Sequence, residues 1–192
     1  GGMVFRKGFD VLVRMALEAT RRGAKFALCL KAVGHDQHYA GYHMEDLAKR
    51  LASIPGAPPV RILDADVSRE KLASIYRAAD LLVHPYRGEG FGLPVLEARA
   101  CGVPVLVTSG GATDDFACGR GCVGIPATRR AIELGGAHMG EPWLLEPDAE
   151  AASALLVQCL QQLQQLKAAA REEAPAVRAA HTWEAAAEAI ER

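Results

Sequence analysis

Two carboxylates at a fixed spacing are the residues of this chain whose types and positions best suit chemistry. Glu89 lies in a loop with Gly88, Gly90 and Gly92, and Glu97 follows after seven intervening residues, in the expected first turn of a helix. A helix N-terminus offers free N–H groups and partial positive charge to an anion, and glycines let a phosphate approach the backbone. A carboxylate beside bound phosphate would be repelled by it, so its expected partners are hydroxyl groups. A ligand that has hydroxyl groups on either side of a diphosphate is a sugar nucleotide, so the segment predicts a site for one.

A buried strand and a helix are predicted to position this loop. The apolar run Leu81–His84 predicts the strand, and Pro94 suits the first position of a helix that continues to Cys101. In open α/β sheets, ligands bind at the carboxyl ends of the strands. His84 therefore either lines the pocket or fills space beside Pro85.

A second turn is predicted on the same side of the sheet. The continuous apolar run Val103–Thr108 indicates a central strand, and Gly110 and Gly111 follow its carboxyl end. Beyond them, Thr113 has two interpretations. Its hydroxyl either bonds a phosphate, as Ser109 could, or caps the next short helix.

The segment Glu89-Gly-Phe-Gly-Leu-Pro-Val-Leu-Glu97-Ala, with Cys101-Gly-Val-Pro-Val and Gly110-Gly111 after it, resembles a known signature. It is similar to the E-x7-E donor site of retaining glycosyltransferases with the GT-B fold, the family 4 group. The similarity extends from Lys7-Gly8 to about Trp183. Because GT-B enzymes have two Rossmann-like domains, the resemblance implies that residues 1–192 form the C-terminal, donor-binding domain and that the N-terminal acceptor domain is absent.

The resemblance also implies roles for individual residues. Lys7 would reach the donor diphosphate, Glu97 the ribose, and Glu89 the sugar being transferred, so that Glu89 and Lys7 are the candidate catalytic residues. The remaining candidate donor-binding residues are His84, Gly90, Phe91, Gly92, Leu93, Gly110, Gly111 and Thr113. One position departs from the resembling family. Many members carry an arginine five residues before the lysine, where this chain has Gly2. Arg6, which directly precedes Lys7, is the residue that could take the place of that arginine.

The resemblance implies a metal-independent enzyme with no cofactor other than its donor, a UDP-, GDP- or ADP-sugar. The isolated domain is expected to be inactive without its acceptor domain. Two alternatives remain: a non-catalytic nucleotide-sugar-binding module, which the departure at Gly2 favours, and a GT-B epimerase or phosphorylase. A zinc site formed by His35, His38 and His43 is disfavoured, because their spacing does not place them on one helix face.

Composition limits the other classes of function. Half of the 192 residues are apolar, and the net charge of -1 gives no long-range attraction for nucleic acid or an anionic membrane. No apolar run reaches the ~18 residues of a membrane span. Five scattered cysteines argue against a disulfide framework, so a cytoplasmic protein is expected. The abrupt opening Gly1–Val4 suggests that an earlier part of a larger protein is missing.

The rest of the chain predicts a Rossmann-like parallel sheet flanked by helices, with further helices at the C-terminus. The predicted strands are Ala24–Val33, Val60–Leu63 and Cys122–Ile125, in addition to the two already given. Helices are expected from Phe9 to Gly23, from Tyr39 to Ser53, from Ser68 to Ala79, and from Asp148 to about Glu173, with a final helix opening at Pro175. Residues 126–142 are expected to be irregular.

Overall fold

Strands and helices alternate along most of the chain in the computed structural model, which describes residues 5–31, 49, 51–63, 65–133 and 140–191. A 3₁₀ turn spans Phe5–Lys7. The helices are α1 (Phe9–Arg21), α2 (Arg69–Ala78), α3 (Leu93–Ala100), α4 (Ala149–Gln161), α5 (Leu163–Ala180) and α6 (Trp183–Ile190). The strands are β1 (Leu28–Lys31), β2 (Val60–Leu63), β3 (Leu82–His84), β4 (Val105–Thr108), β5 (Cys122–Ile125), β6 (Ala127–Ala131) and β7 (Trp143–Pro147).

The strands pair in three groups. Strands β1 and β2 are parallel, β3, β4 and β5 form a parallel sheet with β4 in the middle, and β6 pairs with β7 in an antiparallel ribbon. In the three-stranded sheet, His84 lies opposite Val107. The loops that follow β3 and β4 therefore leave the same edge of the sheet side by side.

Strand β4 is covered on both faces, as expected for a parallel sheet. All four of its residues are buried. Because successive side chains point to opposite faces, Leu106 joins the core under α1 and α4, whereas Val105 and Val107 join the core under α3. The expected α/β architecture of parallel strands flanked by helices is confirmed.

Two of the predicted helix starts have the expected side-chain caps. The Ser68 hydroxyl accepts a hydrogen bond from the Lys71 amide, and the Asp148 carboxylate accepts from the amides of Glu150 and Ala151. Only residues 49 and 51–53 of the predicted helix Tyr39–Ser53 are described, and they are helical.

Residues 126–142 are not irregular throughout, because β6 lies within them. Strand β6 was not predicted, since its residues are mostly exposed and lack an apolar pattern. It is held by backbone pairing with β7, and the Arg129 guanidinium lies 4.2 Å from the centre of the Trp143 ring.

The C-terminal helices also differ from expectation. The predicted helix from Asp148 to Glu173 divides at Gln162 into α4 and α5. Pro175 does not open a new helix but lies inside α5. Proline removes one backbone hydrogen bond, but Ala174 and Val177 on either side are buried, so packing maintains the helix. Among the described residues, no helix is long and apolar enough to cross a bilayer.

Candidate functional site

The structure brings three of the predicted site residues together at the carboxyl end of β3. Lys7 ends the 3₁₀ turn, His84 ends β3, and Glu89 lies in the loop that follows. One Glu89 oxygen, Oε1, accepts hydrogen bonds from Lys7 Nζ and from His84 Nε2, the latter at 2.8 Å. Arg6 Nη1 lies 3.7 Å from the other oxygen, and the Glu89 side chain is only 7% exposed.

These partners keep Glu89 ionised. Burial by itself would raise its pKa, but hydrogen bonds from His84 and Lys7, together with their charges, outweigh burial and lower the pKa to about 2. The Lys7 ammonium is paired with the Glu89 carboxylate. A phosphate that binds Lys7 has to share it with Glu89 or displace Glu89 from it.

The same pairing predicts how acid acts on Glu89. Because the folded-state pKa lies below the ordinary value of 4.5, the ionised side chain contributes stability that is present above pH 4.5 and lost as the pH falls towards 2. We expect wild type to be more stable than Glu89→Gln at pH 7, and this difference in the free energy of unfolding to shrink at pH 3. Urea unfolding of both proteins at the two pH values measures it. A difference that is the same at both would contradict the pairing.

Glu97 has a separate partner. It lies on α3, and its Oε2 accepts a hydrogen bond of 2.9 Å from the Tyr76 hydroxyl on α2. Burial, followed by the negative charge of Glu97, raises the pKa of Tyr76, so the phenol remains a hydrogen-bond donor. Sequence reasoning missed Tyr76 because nothing in α2 indicates which of its residues faces α3.

The loop between Glu89 and α3 presents free backbone donors. The N–H groups of Phe91, Gly92 and Leu93 have no acceptor among the described residues. Gly92 has φ of 91°, and a Cβ atom there would overlap the Thr113 methyl group. Phe91 and Leu93 are 49% and 52% exposed. The predicted helix start after this loop is present at Leu93, and free N–H groups at such a start are of the kind that bind anions.

The second predicted turn packs against the first. Gly111 approaches the Tyr86 hydroxyl so closely that a Cβ atom would overlap it, and Gly110 donates its N–H to Asp114 at 2.8 Å. Thr113 is fully buried, and its hydroxyl lies 2.9 Å from that of Tyr86. Thr113 supports the turn from beneath, whereas Gly110 lies nearer the surface.

Arg87 was not singled out in the sequence, but it joins the loop after β3 to three other elements. Its guanidinium donates two hydrogen bonds to Asp10 of α1, at 2.7 and 2.9 Å, and approaches Glu146 of β7 to 2.7 Å. It also donates to the Phe5 carbonyl at 3.1 Å and lies 4.0 Å from the centre of the Phe5 ring. The whole residue is 4% exposed. A lone arginine in a loop gives no sequence signal for such a role.

The structure does not describe the three histidines of the zinc site that the sequence analysis disfavoured. His35, His38 and His43 lie outside the described residues. Within the part of the chain that is described, no three histidine, cysteine or acidic side chains lie close enough together to hold a metal ion.

Comparison with known proteins gives one family. The family described as "Glycosyl transferases group 1" matches residues 1–162. A D-inositol 3-phosphate glycosyltransferase of Corynebacterium jeikeium is 30% identical over 186 residues, which are 97% of this chain and 40% of that protein. The enzyme of the same name from Mycolicibacterium smegmatis is 52% identical over 72 residues, covering 38% of this chain and 17% of its own length. The chain thus spans less than half the length of these relatives.

Solved structures agree on the fold. The catalytic domain of cholesterol-α-glucosyltransferase from Helicobacter pylori has a TM-score of 0.65 at 21% identity, covering 94% of this chain and 95% of that one. The pneumococcal O-GlcNAc transferase GtfA, solved with UDP and GlcNAc, has a TM-score of 0.55 at 18% identity, covering 92% of this chain and 31% of that one.

Proposed function

The chain belongs to the group 1 glycosyl transferases, and from that premise we propose that it binds the nucleotide-sugar donor of a retaining glycosyltransferase. The acceptor would be held by another domain, and the sugar would pass to one of its hydroxyl groups. Glu89 and Lys7 are the proposed catalytic residues. The proposed donor-binding residues are His84, Gly90, Phe91, Gly92, Leu93, Glu97, Gly110 and Gly111, and the buried Thr113 would support the turn that carries the last two.

The observation that carries this proposal is the convergence of Lys7 and His84 on Glu89, beside a helix N-terminus with unpaired N–H groups. Lys7 and Glu89 are 82 positions apart in the sequence, yet their side chains form a hydrogen bond. Beside them, α3 presents N–H groups at its start and Glu97 farther along. Positive groups for a diphosphate and carboxylates for hydroxyls thus lie on one edge of the sheet.

The proposed chemistry uses each group once. Departure of the nucleoside diphosphate develops negative charge on the leaving oxygen, and Lys7 and the N–H groups of the loop stabilise it. Glu89 then accepts hydrogen bonds from the transferred sugar, and Glu97 from the ribose. The acceptor hydroxyl attacks the sugar carbon from the same face as the departing diphosphate and gives its proton to the leaving phosphate oxygen, so the configuration at that carbon is retained.

The names of similar proteins suggest which donors to test first. One neighbour in fold was solved with UDP, and the curated relatives are named for an inositol phosphate acceptor. UDP-sugars are accordingly the first donors to test, followed by those of GDP and ADP. In this proposal, the acceptor is bound by the part of the relatives' length that this chain does not cover.

A second candidate is a non-catalytic nucleotide-sugar-binding module. It is favoured by Gly2, which stands where many family members have an arginine. Arg6 could supply the missing charge, because its Nη1 donates to the Gly88 carbonyl at 3.1 Å and lies beside Glu89. Turnover by the full-length protein, with and without Arg6→Ala, separates the two functions.

We expect the preferred nucleoside diphosphate to bind without a divalent ion, because Lys7 and the helix N-terminus neutralise its charge. Calorimetric titration with UDP, GDP and ADP, in EDTA and in Mg²⁺, measures this. Lys7→Ala should weaken binding equally in both buffers. If EDTA abolishes binding, the metal-independent site is wrong.

A further inference from the structure

We infer that Arg87 is a positioning residue for the donor site, which holds Lys7 in place against Glu89 by binding the segment around Lys7. This inference rests on the proposed function. Arg87 itself points away from the candidate ligand groups and towards Asp10, Glu146 and Phe5. Its effect on a donor would therefore be indirect, through the residues that it fixes.

The contacts of Arg87 lie on both sides of Lys7. The Phe5 carbonyl, two residues before Lys7, and the Asp10 carboxylate, three residues after it, both accept hydrogen bonds from Nη1. In addition, the backbone N–H groups of Arg87 and Gly88 both donate to the Arg6 carbonyl, at 2.7 and 3.0 Å. Lys7 thus lies within a segment that the loop after β3 binds at three points, two before Lys7 and one after it.

Glu146 anchors the arginine from the other side. Arg87 Nε donates to both Glu146 oxygens at 3.1 Å, and Nη2 donates to one of them at 2.7 Å. The Leu145 amide also donates to the Arg87 carbonyl at 2.9 Å. Two carboxylates thus compensate a guanidinium that is almost fully removed from water, and hydrogen bonds use each of its three nitrogens.

Geometry makes arginine necessary here. A lysine retains the positive charge, but its ammonium is a single point and cannot bond Asp10 in a fork while also bonding Glu146 and Phe5. Arg87→Lys should therefore loosen the Lys7 segment while leaving a buried positive charge near its carboxylates. This substitution tests positioning more cleanly than truncation to alanine would.

The first test needs no ligand. The ¹³C carboxyl resonance of Glu89, followed against pH, gives the pKa of this side chain. Hydrogen bonds and charge from His84 and from Lys7 both lower that pKa, so loss of Lys7 as a partner raises it. In Arg87→Lys the pKa of Glu89 should rise from about 2 towards its ordinary value of 4.5. Leu160→Ala in α4, which loosens the core away from the site, should leave it near 2. A Glu89 pKa that stays at about 2 in Arg87→Lys overturns the inference.

The second test uses the diphosphate among UDP, GDP and ADP that binds wild type most tightly. Arg87→Lys should weaken the binding of this diphosphate about tenfold. When Arg87→Lys is added to Lys7→Ala, the affinity should fall no further, because Lys7, the residue that Arg87 positions, is already gone. Equal losses in both backgrounds would show that Arg87 does not act through Lys7. If wild type binds none of the three, the proposed function fails, whereas the Glu89 titration still decides the inference.

Two further variants keep the inference testable if Arg87→Lys does not fold. Asp10→Asn removes charge from the α1 side of the network, and Glu146→Gln removes it from the β7 side. If Arg87→Lys does not fold, Asp10→Asn should raise the Glu89 pKa more than Glu146→Gln does, because only Asp10 belongs to the helix that follows Lys7. An equal or reversed effect overturns the inference.

Discussion

Replacing Gly8 by alanine is expected to destabilise the domain by about 2 to 5 kcal/mol, the sum of a left-handed backbone strain and a steric overlap. Gly8 precedes α1 with φ of 68°, a conformation that side chains disfavour. A Cβ atom built there would overlap the carbonyl oxygen of Pro85, which is backbone and cannot rotate away. The same contact places Lys7 beside the loop after β3, so donor binding should also be lost.

The chain offers a matched control at Gly23. It has φ of 84°, but no atom lies within 4 Å of a Cβ built on it. Gly23→Ala therefore includes the backbone strain without the overlap and should cost about 1 to 2 kcal/mol. Urea unfolding of both variants measures the difference between them. Equal losses would mean that the approach of Gly8 to Pro85 is not tight.

Removing the Glu97 side chain should weaken the binding of both the nucleoside diphosphate and its sugar conjugate. Removing the Glu89 side chain should weaken the binding of the conjugate only. Loss of a charged hydrogen-bond acceptor costs about 1.5 to 3 kcal/mol, or roughly 10 to 150-fold in affinity. Glu97→Ala removes the proposed ribose contact, which both ligands share. Glu89→Ala removes the sugar contact and also releases Lys7, so the free diphosphate should bind at least as tightly as before.

Calorimetry with a matched pair of ligands, such as UDP and its sugar, measures the four affinities. Glu188→Ala, an exposed glutamate on α6, serves as the control for loss of a negative charge. If neither Glu89→Ala nor Glu97→Ala changes the affinity of the sugar conjugate while circular dichroism shows an intact fold, the two glutamates do not contact the donor. The donor-binding proposal would then lose its main support.

The parallel core could be predicted because its signals are local. A continuous apolar run such as Val103–Thr108 is required wherever both faces of a strand are covered, and caps such as Ser68 act within one turn. Strand β6 lacked such a signal, since backbone pairing with β7 holds it and its side chains are mostly exposed. Pro175 was misinterpreted because tertiary packing overrode a local preference.

The candidate site also combines residues that the sequence predicts with residues that it does not. Glu89, Glu97 and the loop glycines form one short segment, so their spacing was readable. The partners of these residues could not be predicted from the sequence, because they come from other elements. Tyr76 bonds Glu97 from another helix, and Arg87 bonds residues on both sides of Lys7. No pattern within one segment indicates which distant side chain a carboxylate or guanidinium will meet.

The separation along the chain of the residues that meet at the site bears on how the protein folds. Lys7 and Glu89 are 82 positions apart, and Asp10 and Arg87 are 77 apart. Closing so long a loop costs entropy before any contact repays it, so these contacts are expected to form after the rate-limiting barrier. A ligand held there would then act on the unfolding rate and leave the folding rate nearly unchanged. Occupancy by the donor would lengthen the lifetime of the native state without helping the nascent chain to reach it.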